Sequence, residues 1–185
     1  MTTIIGIAGS LRNGSFNAAL LRAAVEECPP EAKLEIESIR GIPLYDGDVE
    51  AQGMPPRVVE LKERIAAADA LLLVTPEYNN SIPGTFKNAI DWMTRPPADV
   101  PRVFQGRPVG LIGASPGAHG TMLSQTAWLP VLRTLGMRPW FDKLLYVNGA
   151  HKVFDASGKL VDEAMRARLR AYMQGFVAFL KAPRG

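Results

Sequence analysis

The chain has 185 residues, 47% of them hydrophobic and 21% charged, with a formal net charge of +3. That is the composition of an ordinary folded protein, and the length suits one globular domain over residues 1–185 with room for a substantial core. No apolar run approaches the roughly 20 residues that span a bilayer, no basic-then-apolar leader opens the chain, and the lysines and arginines are dispersed rather than gathered on one face; the expectation is a cytoplasmic protein with no membrane insertion and no nucleic-acid partner.

Thr3–Ala8 is a near-continuous apolar run, the pattern of a strand covered on both faces. It leads into Gly9-Ser10-Leu11-Arg12-Asn13-Gly14-Ser15-Phe16-Asn17 and then into a helical pattern over Phe16–Glu26. A strand that runs through a polar, glycine-containing loop into a helix N-terminus has the geometry to capture a phosphate, because unpaired N–H groups and the positive end of the helix dipole both face the loop. Ser10, Ser15 and Asn17 offer side-chain donors, and Arg12 a guanidinium fork that suits phosphate oxygens. Ser15 also suits the helix N-cap. Cys28, the single cysteine, ends this helix before Pro29-Pro30 and reads as a packing residue, since no other Cys or His is near it.

A second strand is expected at Lys33–Ser38, followed by the Pro/Gly-rich surface segment Gly41–Pro56, a helix over Arg57–Ala68 and a third strand at Ala70–Val74. The loop Thr75-Pro76-Glu77-Tyr78-Asn79-Asn80-Ser81-Ile82-Pro83 then enters a helix over Pro83–Met93, with Pro83 in its first turn. Lys87 and Asp91 are spaced for an i,i+4 ion pair there, and Trp92 and Met93 read as core or subunit-contact residues. After the surface segment Thr94–Pro108 come a strand at Val109–Ala114, the loop Ser115-Pro116-Gly117-Ala118-His119-Gly120, a helix over Thr121–Leu135, a strand near Lys143–Val147 and a helix over Val161–Lys181. Arg166, Arg168 and Arg170 in this last helix read as a solvated face balanced by Asp162 and Glu163. His119 and His151 lack ligand-spaced partners, so no metal site is expected, and His151 reads as plain surface.

This alternation predicts an α/β fold, a flavodoxin-like doubly wound five-stranded parallel sheet of order 2-1-3-4-5 with helices on both faces. Ligands of such sheets bind beyond the carboxyl ends of the strands, where the three polar loops should meet. None of them carries the Lys-Ser or Lys-Thr of a P-loop, and the first lacks the G-x-G-x-x-G spacing of a tightly held dinucleotide.

In order along the chain, Gly9-Ser10-Leu11-Arg12-x-x-Ser15-x-Asn17, Pro76-Glu77-Tyr78-Asn79-x-Ser81-x-Pro83 and Lys87-Asn88-Ala89-Ile90-Asp91-Trp92 resemble the NAD(P)H-dependent FMN reductase family, nearest to its bacterial quinone and chromate reductases. The resemblance implies FMN as cofactor, NADPH or NADH as electron donor and a small-molecule acceptor. Ser10, Arg12, Ser15, Phe16 and Asn17 would hold the FMN phosphate, Phe16 through its main-chain N–H. Pro76, Glu77, Tyr78 and Asn79 would run along the isoalloxazine ring, and Ser115 and Gly117 would cover the ribityl and pyrimidine side. No catalytic side chain is implied, because the flavin carries the chemistry. A ping-pong cycle onto a quinone is implied, with chromate, ferric complexes, azo dyes or free flavin as further acceptors. So is a homodimer or homotetramer, with Gly41–Pro56 and an apolar face around Trp92, Trp128 and Trp140 expected at the contact. The alternative is a flavodoxin-like single-electron carrier without its own NAD(P)H oxidation. A signalling module of response-regulator type fits poorly, since Ser10 and Thr75-Pro76-Glu77 stand where it needs acidic residues.

Overall fold

The computed structural model describes residues 1–182. Strands β1 (Thr2–Ala8), β2 (Ala32–Glu37), β3 (Ala70–Val74) and β4 (Pro108–Ala114) form a parallel sheet whose order is β2-β1-β3-β4-β5, as the pattern predicts. Every residue of β3 and β4 is buried, whereas β2 at the edge alternates buried and open positions. Successive side chains of a strand point to opposite faces, so the central strands feed two cores. Ile4, Leu72, Val74 and Ile112 pack with α1 (Phe16–Glu26) and α8 (Glu163–Lys181). Ile5, Ile7, Leu71, Leu73 and Leu111 pack on the opposite face, with the apolar sides of α3 (Pro56–Ala67), α4 (Gly84–Met93) and α6 (Met122–Thr134). Among the described residues, no helix is long and apolar enough to cross a membrane.

The fifth strand position departs from expectation. It is made by two pieces, β5 (Arg138–Pro139) on the start of β4 and β6 (Leu145–Val147) on its end. Residues 140–144 leave the sheet because Trp140 turns into the core, edge-on to Tyr172 with ring centroids 4.9 Å apart. The next residues then bulge outward and expose Phe141 and Leu144.

The expected subunit face around the tryptophans is a correction: Trp92, Trp128 and Trp140 are all buried within the monomer. Trp128 stacks edge-on against Phe86 and Trp92 against Tyr45, each at 5.0 Å. An apolar helix stripe looks the same in sequence whether it covers its own sheet or another chain.

The two long segments are stitched down rather than free. Residues 41–56 contain α2 (Gly47–Gln52), and Tyr45 N–H donates to Asn88 Oδ1 while Asn88 Nδ2 and Trp92 Nε1 donate to the Pro43 carbonyl. Residues 94–108 contain a 3-10 turn at Pro97–Asp99 and α5 (Val100–Val103). Lys62 of α3, only 3% exposed, donates to the Arg95 carbonyl at 2.6 Å and pairs with Asp99. Hydrogen bonds from Arg102 and Lys62 hold the Asp99 carboxyl down at about 2. A carboxyl depressed in the folded state stabilises the fold above its ordinary value of 3.8 and loses that contribution as pH falls toward 2. Asp99→Asn should therefore flatten the acid limb of a urea-midpoint-against-pH curve in this window and lower stability at neutral pH, where Lys62 is left buried without its counter-charge. An unchanged acid limb would remove Asp99 from this role.

Smaller expectations resolve as follows. Lys87 and Asp91 pair at 2.7 Å. Pro83 caps α4 from just outside rather than sitting in its first turn. Arg166 and Arg170 are balanced less by their own helix than by Glu27 of α1, at 3.0 and 2.6 Å. Burial alone would raise the Glu27 carboxyl, but these two guanidiniums outweigh it and lower it. Cys28 is half-buried, donates to the Ala32 carbonyl at 3.6 Å and has its thiol pushed up by burial, in keeping with a packing residue.

Candidate functional site

The carboxyl ends of β1, β3 and β4 release the three polar loops side by side, and between them lies an open cleft with a cavity volume of ≈ 100 Å³. Ser10, Arg12, Ser15, Phe16, Asn17, Pro76, Glu77, Tyr78 and Ser115 all line it; Asn79 and Gly117 do not. Ala114 and Pro116 line it without having been anticipated.

Ser15 caps α1, its Oγ accepting from Ala18 N–H at 3.2 Å, and its own N–H donates to the Arg12 carbonyl. Among the described residues the N–H groups of Phe16 and Asn17 have no acceptor, as the first turn of a helix requires. Arg12 is exposed and, among the described residues, its side chain bonds only the Gly14 carbonyl, at 3.0 Å. Arg40 braces the same loop, donating to the Leu11 carbonyl at 2.6 Å.

The Asn17 side chain has a different task from the one its sequence context implies. Its Nδ2 donates to the Ala114 carbonyl and its Oδ1 accepts from Ala114 N–H, both at 2.9 Å. It thereby clamps the first loop to the end of β4, and for a ligand it keeps its main-chain N–H and one amide hydrogen.

In the second loop Tyr78 and Ser81 exchange main-chain hydrogen bonds of 3.2 and 3.0 Å, closing a two-residue turn on Asn79 and Asn80 at φ 50° and 61°. Positive φ at both central residues defines a type I′ turn, for which asparagine is among the few tolerant residues. The Asn-Asn pair carried this signal. The turn moves Asn79 away from the cleft and presents the half-exposed Tyr78 ring. Glu77 reaches across to α6, where its Oε2 accepts from Ser124 N–H at 3.0 Å, a carboxylate on the first turn of a helix. Beneath it Thr75 Oγ1 accepts from Trp128 Nε1 at 3.0 Å and shares a 2.8 Å hydrogen bond with Ser124 Oγ. In the third loop Ser115 N–H donates to the Val147 carbonyl, which ties the cleft to β6, and Ser115 Oγ accepts from Gly117 N–H. His119 is exposed on this loop and outside the cleft lining.

An open doubly wound sheet, with an amide-rich helix start and a flat polar slot at its carboxyl edge, is a nucleotide- or flavin-binding class of protein. The chain belongs to the NADPH-dependent FMN reductase family, whose profile matches residues 2–152. It is 42% identical to an NAD(P)H-dependent FMN reductase of Pseudomonas aeruginosa over 98% of this chain and 97% of that one. It is 36% identical to a 2-hydroxy-1,4-benzoquinone reductase of a Burkholderia species over 95% and 94%. Among solved structures, the flavoenzyme NAD(P)H:(acceptor) oxidoreductase FerB of Paracoccus denitrificans superposes with a TM-score of 0.87 at 32% identity, covering 98% of each chain. The protein is therefore an oxidoreductase of a family that depends on FMN and takes electrons from NAD(P)H.

Proposed function

We propose that this chain holds FMN in the three-loop cleft and passes reducing equivalents from NADPH or NADH to a quinone by a ping-pong cycle. The observation that carries the reading is the pair of unpartnered N–H groups at Phe16 and Asn17, beside Arg12, which has no acidic partner among the described residues. A monoester phosphate close to a dianion satisfies all three. Ser10 Oγ and the remaining amide hydrogen of Asn17 add donors at the same end. Pro76, Glu77 and Tyr78 would lie along the ring, Ser115 beside the ribityl chain, and Asn79 and Gly117 would act through the backbone shape of their turns. When bound, FMN supplies hydride acceptance and delivery. The protein's part is to neutralise the phosphate, to set the ring against a loop fixed by the Glu77 cap, and to leave room over Tyr78 for nicotinamide and acceptor in turn. The names of the related benzoquinone and quinone reductases favour a quinone; chromate, ferric complexes, azo dyes and free flavin are further candidates.

The test is titration of the protein with FMN. Arg12→Ala should weaken binding by about 1.5–3 kcal/mol, the range for a lost charged hydrogen bond, which is roughly tenfold or more in Kd. Protein that neither retains nor binds FMN would overturn the reading. Initial rates should give parallel double-reciprocal lines for a ping-pong cycle. Anaerobic NAD(P)H alone should bleach the bound flavin; failure to do so would favour the single-electron carrier.

We further propose a single flavin-binding domain, working in the cytoplasm as a homodimer or homotetramer. With the tryptophans buried, the exposed Leu129, Phe141 and Leu144 beside the split strand, and Leu44, Tyr45 and Val49 around α2, are two groups of apolar side chains open to such a contact. Sedimentation as a monomer at every concentration would exclude it.

A further inference from the structure

A second groove begins where the cleft ends. It runs along the outer face of α1 beneath the turn 155–158 that follows α7 (Ala150–Val153), is open to solvent with a cavity volume of ≈ 420 Å³, and shares Ser15 and Phe16 with the cleft. We propose that this groove takes the nucleotide half of a flavin dinucleotide, so that FAD as well as FMN is a ligand of this chain. The inference rests on the reading that the FMN phosphate sits at the start of α1.

The groove is shaped and charged for that extension. Arg22 and His151 face it, both exposed and neither in an ion pair among the described residues. Arg22 offers a guanidinium and His151 a ring N–H to a second phosphate one bond beyond the first. The single carboxylate of the lining, Asp155, is held in place by its own turn, where its Oδ1 accepts from Ser157 N–H at 2.9 Å, Ser157 Oγ at 2.6 Å and Lys159 N–H at 2.9 Å. That leaves Oδ2 to accept from ribose hydroxyls, the use that dinucleotide folds make of an acidic residue. Phe16, stacked on Phe154 with centroids 6.0 Å apart, supplies an apolar floor beneath the first phosphate site.

Gly158 keeps the groove open. It stands at φ +80°, and a Cβ there would lie 2.8 Å from Arg22 Nη2. The positive φ favours glycine here, and the absence of a side chain leaves the Arg22 guanidinium where it stands. FMN ends at its phosphate and has no use for any of these groups. A reducing nicotinamide does not account for them either, because it must reach the ring end of the cleft, and the groove shares no residue with Pro76, Glu77 or Tyr78.

The experiment is isothermal titration of flavin-free protein with riboflavin, FMN and FAD, repeated with Arg22→Ala and Ser157→Trp. Arg22 makes no hydrogen bond to the rest of the fold among the described residues and Ser157 lies on an exposed turn, so neither variant disturbs the core. FAD should bind the wild-type protein at least about tenfold tighter than riboflavin; Arg22→Ala should weaken FAD about tenfold, the worth of one charged contact, and Ser157→Trp at least about as much by filling the groove. FMN affinity should stay within about twofold, as neither Arg22 nor Ser157 lines the cleft. If FMN binds well but FAD binds no tighter than riboflavin, the groove is not a nucleotide site. FAD binding that neither variant weakens also overturns the assignment. If FMN itself binds no better than riboflavin, the phosphate-loop reading fails, and that result is distinct from the other two.

Discussion

Gly113→Ala should destabilise the protein by about 3 kcal/mol or more, at or beyond the usual range for an overpacked core methyl. A Cβ at this position would lie 2.9 Å from Thr121 Cβ, and closer still to Thr121 Oγ1 and the Thr75 carbonyl oxygen. One of those atoms belongs to the backbone where β3 runs out into the second loop, just after Thr75 N–H donates to the Ile112 carbonyl at 2.9 Å. The methyl cannot be accommodated by turning a flexible side chain, so the carboxyl ends of β3 and β4 must part. FMN affinity should fall with stability, because both strands deliver loops to the cleft. The control is Gly117→Ala, where the added Cβ meets only Ser115 Oγ at an ordinary 3.4 Å and should cost less than about 0.5 kcal/mol. Urea unfolding decides it: equal midpoints for Gly113→Ala and wild type would disprove the close approach.

The second large effect is expected at Asn17. Asn17→Ala removes both partners of Ala114, leaving a buried N–H and a buried carbonyl without hydrogen bonds. At about 1–3 kcal/mol for each stranded group, the loss should be about 3 kcal/mol. This exceeds any stability effect of Arg12→Ala, since the Arg12 side chain is exposed and, among the described residues, hydrogen-bonds only within its own loop. Asn17→Asp retains the acceptor for Ala114 N–H but puts a second carbonyl-facing oxygen where a donor stood, so it should not restore stability. Chemical denaturation of the flavin-free protein separates this fold-holding role from cofactor binding. A variant as stable as wild type but weak in FMN would reverse the assignment of the side chain from clamp to ligand.

The sheet, its order and the capped start of α1 were legible because each depends on local chemistry. Continuous apolar runs mark buried parallel strands, and Gly14-Ser15 before a helical pattern marks a cap whatever lies elsewhere in the chain. The joining of the loops was not legible. Asn17 and Ala114 are 97 residues apart, and Glu77 meets Ser124 across 47. Nothing within a window of local sequence distinguishes an asparagine that binds a phosphate from one that binds a strand end. The position of Asn79 could have been foreseen, since Asn79-Asn80 between two residues able to pair is an I′-turn signal. The three tryptophans and the split fifth strand could not, because apolar periodicity reports that a face is covered and not what covers it.

What the sequence by itself determined is therefore a parallel α/β frame that sends three amide-rich, lysine-poor loops to one edge, with a capped helix start and a guanidinium in the first of them. Those features follow from residue type and spacing alone. Only the tertiary structure decided how the side chains are shared between fold and site. Asn17 and Glu77 were assigned to holding loops together, the tryptophans to the monomer's own core, and Arg22 with His151 to an open groove behind the first loop. These are long-range pairings, set by the geometry that leaves each buried polar group a partner.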